Sequence, residues 1–73
     1  MYGKRIRELR EERGWTQAEL GQRLNCTQRT VSRYETELHE LNTGLIISLC
    51  QIFEVSADYL LGLEDDAGSK KFR

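Results

Sequence analysis

From Gln28 to Thr36 the chain reads QRTVSRYET, a run rich in side chains that hydrogen-bond planar, edge-on or anionic partners. On a helix beginning near Gln28, the 3.6-residue period turns Arg29, Ser32, Arg33 and Thr36 outward, with Gln28 and Thr30 flanking the first turn. Val31, Tyr34 and Leu38 are expected to point inward. The outward side carries no acid, in a chain that has twelve. Such a face suits nucleic-acid base edges: Gln can pair with adenine, Arg with guanine, and a Thr methyl can touch the thymine methyl. A polar face is also what an ordinary surface helix shows to water, so the elements around it must decide between the two.

The preceding residues, TQAELGQRLNC, predict a second short helix at a sharp corner to the first. Thr16 and Glu19 have capping-box spacing, and Trp15 and Leu20 sit at the positions of a hydrophobic staple. Leu20, Gly21 and Leu24 form the face expected to be buried, with Gly21 admitting another backbone at close range. Asn25 tolerates a left-handed corner, Thr27 caps the next helix, and Cys26 and Val31 repeat the staple spacing. Two capped helices joined by about three residues make a helix-turn-helix, spanning about 17–36.

The other helices follow from similar signals. Helix 1 is expected from about Lys4 to Arg13, with Ile6 and Leu9 inward and Gly14 as its stop. Its outer side (Lys4, Arg5, Arg7, Glu8, Glu11, Glu12) is expected to be solvated, with pairs such as Lys4–Glu8 and Arg7–Glu11; phosphate contact by Lys4 and Arg5 is a second role. Helix 4 should start after the cap Asn42 and run to about Phe53 with a broad apolar sector. Helix 5 should start at Ser56, stapled by Val55 and Leu60, and stop at Gly62.

From about Arg5 to Leu63 the chain resembles the lambda-repressor-like family, the Cro/C1 or XRE-type helix-turn-helix regulators of bacteria and phages. The stretches IRELREERGWTQAEL, TVSRYE and IFEVSADYLLGLED carry the likeness. It implies an all-α, compact five-helix DNA-binding domain whose third helix lies in the major groove. It further implies that Gln28, Arg29 and Arg33 face base edges. Gln17 would bond a phosphate and brace the third helix. Thr27, Thr30 and Ser32 would touch phosphates or bases, and the Thr43 amide would hold another phosphate. Glu35 leans inward and needs a partner, and Arg10 is the candidate because the family has an Arg–Glu pair between these helices. The chain departs from the pattern at Asn25, where glycine is usual, and at Leu41, where proline is common. In the run Thr36-Glu37-Leu38-His39-Glu40 the family often has glycine and basic residues, so Glu37 and Glu40 are expected near the DNA backbone, where they would weaken binding.

Composition sets the scale. The chain has 73 residues and a net charge of −1, enough for one domain with a small core: residues 1–63 as the helix-turn-helix domain, and 64–73 as a polar, flexible tail. The charge is polarised. Residues 1–36 hold eight Lys/Arg against five Asp/Glu, and residues 37–73 hold three against seven; only the local field meets DNA. No stretch is apolar enough for a membrane span, and the start lacks a secretion signal, so the cytoplasm is the expected location. In that compartment Cys26 and Cys50 are expected as free thiols. One histidine and no CxxC leave no zinc site. No nucleophile sits beside a base, so no enzyme, cofactor or small-molecule ligand is expected.

The expected function is a sequence-specific DNA-binding transcriptional regulator, a repressor in preference to an activator. It would act as a homodimer on a near-palindrome of double-stranded DNA. Tyr59, Leu61 and Leu63 are the candidate dimer residues, with completion of the monomer core as their other role. The alternative function is a protein-interaction module, such as an antitoxin or anti-regulator, in which DNA binding is secondary.

Overall fold

Five helices make up the computed structural model, which describes residues 2–63: α1 (Tyr2–Glu12), α2 (Gln17–Leu24), α3 (Gln28–Glu35), α4 (Thr43–Phe53) and α5 (Ala57–Leu60). The described residues contain no strand, so the fold over them is all-α. The expected tail at 64–73 lies outside the described residues.

Helix starts follow the sequence signals closely. Thr16, Thr27, Asn42 and Ser56 each adopt extended backbone and accept from the amide three residues on. The box at α2 is complete, since Glu19 Oε1 also accepts from the Thr16 amide at 2.8 Å. Only α1 differs, beginning at Tyr2, ahead of the expected Lys4.

The helix ends share one device. A left-handed residue follows each helix: Gly14 (φ 71°), Asn25 (61°), Glu37 (62°), Glu54 (57°) and Gly62 (80°). In each case the next amide reaches back five residues, as Trp15 does to Arg10 O (3.1 Å), Cys26 to Gly21 O (2.8 Å) and Leu38 to Arg33 O (2.9 Å). Val55 bonds Cys50 O (3.1 Å) and Leu63 bonds Asp58 O (2.8 Å) in the same way. This is the Schellman closure, which satisfies carbonyls that a helix end leaves open. Glycine and asparagine adopt it readily, whereas at Glu37 and Glu54 it costs on the order of 1–2 kcal/mol.

That closure corrects the expectation for Leu38. Continuing the period of α3 places Leu38 inward, but α3 ends at Glu35 and the left-handed Glu37 redirects the chain. Leu38 is 77% exposed.

Ile6, Leu9, Leu20, Val31, Leu49, Cys50, Phe53, Val55 and Leu60 form the core, drawing on all five helices. Burying a side chain of this kind contributes about 1.5–3 kcal/mol. Trp15 packs against this core and stacks on Phe53 at a centroid distance of 5.7 Å, while the Arg23 guanidinium lies 4.0 Å from its ring centre. Gly21 makes the helix-turn-helix corner possible: a Cβ there would lie 2.8 Å from Cys26 O.

The outer side of α1 needs a second correction. The side chain of Arg5 is only 13% exposed. Its guanidinium stacks 4.0 Å from the Tyr59 ring centre and donates to Tyr59 O at 2.9 Å, tying α1 to α5. Glu8 meets Arg5 at 3.5 Å, and the expected Arg7–Glu11 pair is present at 3.4 Å. A phosphate role for Arg5 does not fit this packing.

Candidate nucleic-acid interface

The first turn of α3 stands beside the first turn of α2, and four side chains join them to the scaffold in series. Arg10 Nε donates to Glu35 Oε2 at 2.6 Å and Arg10 Nη2 to Glu35 Oε1 at 3.3 Å. Gln17 Nε2 donates to Glu35 Oε1 at 3.1 Å, and Gln28 Nε2 donates to Gln17 Oε1 at 2.6 Å. The Arg10 and Glu35 side chains are only 11% and 5% exposed, so their charges are largely removed from water. Arg10 also donates to Trp15 O at 2.7 Å, which brings the entry to α2 into the same cluster.

The series has a direction. An ionised carboxylate only accepts, so Gln17 must turn its amino group toward Glu35 and its carbonyl toward Gln28. Gln28 must then spend one N–H on Gln17. It retains its carbonyl oxygen and a second N–H, the acceptor and donor that the adenine edge requires. Gln17 likewise retains one N–H, which suits a phosphate oxygen.

Along the rest of the face, Arg29 and Arg33 are exposed, and neither forms an ion pair among the described residues. Thr27 Oγ1 accepts from the Thr30 amide at 3.2 Å and lies 3.0 Å from Thr30 Oγ1, so both hydroxyls are held at the helix start. Ser32 is half-buried, and its carbonyl accepts from the Thr36 hydroxyl at 2.9 Å. At α4, Asn42 Oδ1 accepts from the Leu45 amide at 2.8 Å. The Thr43 amide, in the first turn, is one that the helix itself leaves without a partner. Beneath the face, burial pushes the Cys26 and Tyr34 acids above their usual ranges. Both groups are therefore neutral near pH 7, and the face carries the positive charge of its arginines.

Of the candidate dimer residues, Tyr59 packs against the core under Arg5 and Leu61 is half-buried. Leu63 is 71% exposed.

A family model described as "Helix-turn-helix" matches residues 6–60. The chain belongs to the XRE-type helix-turn-helix family. Among solved structures of the family, that of the P22 c2 repressor in complex with a synthetic operator resembles it with a TM-score of 0.76 and 30% identity, covering 82% of this chain and 91% of that one. The HTH-type transcriptional regulator ImmR of Bacillus subtilis is 36% identical over 63 residues, which is 86% of this chain and 50% of ImmR. Antitoxin PezA of Streptococcus pneumoniae is 36% identical over 62 residues, 85% of this chain and 39% of PezA. The chain thus spans half or less of the length of these two relatives.

In this XRE-type domain, family likeness implies that Gln17 braces α3 but not through which partner, and a second contact escaped sequence reasoning altogether. The Gln17–Gln28 bond had a usable signal, because both residues directly follow a Thr cap and the corner of a helix-turn-helix brings the two helix starts together. The other contact joins Glu37 to α1: Glu37 Oε2 accepts from the Gly3 amide at 3.1 Å. Nothing in the local pattern marks a contact 34 residues apart.

Proposed function

We propose that this chain is the sequence-specific DNA-binding domain of a bacterial or phage transcriptional regulator that acts as a repressor, with α3 in the major groove. The observation that carries the reading is the Arg10–Glu35–Gln17–Gln28 series. It holds the first side chain of α3 with an acceptor and a donor free, ahead of two arginines that form no ion pair among the described residues. The resemblance to a repressor solved on a synthetic operator supports the same placement.

Gln28, Arg29 and Arg33 read base edges in this proposal, with Gln28 on adenine and an arginine on guanine. Gln17, Thr27, Thr30, Ser32 and the Thr43 amide hold phosphates and set the register. One short helix covers few base pairs, so two copies bind a near-palindrome with half-sites roughly 34 Å apart. Leu63, the most exposed of the candidate dimer residues, is the first choice for the contact between copies. Such a protein works where the chromosome is, in the cytoplasm.

Selection of bound duplexes from a random pool tests the proposal. An enriched, two-fold symmetric sequence supports it, and no enrichment at low ionic strength overturns it. The likeness to Antitoxin PezA favours one other reading, a module whose main partner is a protein. Salt separates the two. Binding through several phosphates weakens steeply as salt rises, and a mainly apolar protein contact does not.

A further inference from the structure

We infer that Glu37 is a positioning residue for the reading helix, its carboxylate clasping the start of α1 to the exit of α3. The inference rests on the assignment of α3 as the DNA-reading helix, and it reverses the role expected of this acid. A carboxylate in the loop after α3 is expected to face the DNA backbone and repel it. Here the carboxylate turns the other way, and Glu37 Oε2 takes the Gly3 amide at 3.1 Å. That amide lies in the first turn of α1, where a helix supplies no acceptor and where negative charge is favoured.

Three further observations place a built joint at this point. Gly3 is buried, and a Cβ on it would collide with Glu35 O and lie 2.8 Å from Glu37 Cγ, so α1 meets the end of α3 backbone to backbone. The Tyr2 hydroxyl donates to His39 O at 2.8 Å, a second tie between the same two segments. Burial, and then the carboxylates of Glu37 and Glu40, push the Tyr2 phenol above its usual range, as expected if both acids face α1.

The backbone of Glu37 points the same way. Its φ of 62° is one that glycine adopts freely and glutamate adopts at a cost. Glu54 closes α4 with φ 57°, but its side chain is 78% exposed and comes no nearer than 4.0 Å to Arg13. The two positions share a backbone conformation, but Glu37 holds a buried-glycine amide at 3.1 Å, whereas Glu54 reaches Arg13 only through a long, exposed ion pair. Because α3 leaves the scaffold through this turn, the clasp and the Arg10–Glu35 pair together hold its C-terminal end to α1.

The experiment compares wild type with Glu37→Gly, Glu37→Gln and Glu54→Gly, by affinity for the selected duplex and by hydrogen exchange at the Gly3 amide. Glycine suits the left-handed turn, so both glycine variants fold. The clasp predicts that Glu37→Gly loses Gly3 protection and binds on the order of ten-fold more weakly, the effect of one charge-assisted hydrogen bond. Glu37→Gln, which keeps an acceptor, should retain most of the protection and affinity, and Glu54→Gly should bind as wild type. Tighter binding by both Glu37 variants would mean that the carboxylate merely repels DNA and would overturn the inference, as would unchanged Gly3 exchange in Glu37→Gly. If wild type bound no duplex, the DNA-reading assignment would fall and the positioning role with it, while the Gly3 amide would still report whether the clasp exists.

Discussion

Arg10 Nε lies 2.6 Å from Glu35 Oε2, across the junction of α1 and α3, with both side chains nearly buried. The pair is the root of the series that ends at Gln28. Removing one partner strands the other charge away from water, at a cost of about 3–5 kcal/mol. Arg10→Met should therefore lose that much in urea unfolding, whereas the double variant Arg10→Met/Glu35→Leu should recover most of it. The double variant should still bind DNA with less selectivity, because Gln17 has lost the acceptor that orients it.

Gln17 is the middle of the same series, donating to Glu35 and accepting from Gln28. Gln17→Ala removes both the proposed phosphate donor and the group that sets the direction of the Gln28 amide. Affinity should fall on every duplex, and preference should relax at the Gln28 base pair. Binding to a panel of single-base variants of the selected duplex checks both effects.

The capping box adds a pH dependence with a definite sign. The Thr16 amide and hydroxyl hold the Glu19 carboxyl below its usual range, the amide contributing most. A carboxyl depressed in the folded state stabilises it above the unfolded value (about 4.3), and that stabilisation is lost as pH falls through the folded value. Glu19→Gln keeps an acceptor but no titrating group. Its stability deficit against wild type should shrink as acid is added, as followed by urea unfolding across an acid series.

Glu54→Gly relieves a left-handed glutamate whose side chain, among the described residues, makes one long ion pair, with Arg13. The gain in the folded state, less the greater freedom of an unfolded glycine, should leave it about 0.5–1 kcal/mol more stable. Thermal unfolding gives the answer.

The sequence marks most clearly the parts of this molecule that depend on neighbours in the chain. Thr16, Thr27, Asn42 and Ser56 cap their helices as their side chains predict, since each bond spans three residues. The left-handed closures at Gly14, Asn25 and Gly62 were visible for the same reason. Glu37 and Glu54 adopt that geometry against their own preference, so no residue type announced it, and the inward expectation for Leu38 failed there. The spacing of Arg5 on α1 predicts a solvated side chain because it shows nothing of Tyr59, 54 residues away. The Arg10–Glu35 pair came from family likeness, and the Glu37–Gly3 contact was in neither source.

The central claim is that α3 presents Gln28, Arg29 and Arg33 to base edges, and Arg33→Ala tests it most directly. Measured on the selected duplex and its single-base variants, this change should cost about 1–3 kcal/mol and remove preference at one base pair per half-site, leaving the others intact. Equal loss on every variant, with preference unchanged at all positions, would contradict the claim and show that this face holds only the phosphate backbone.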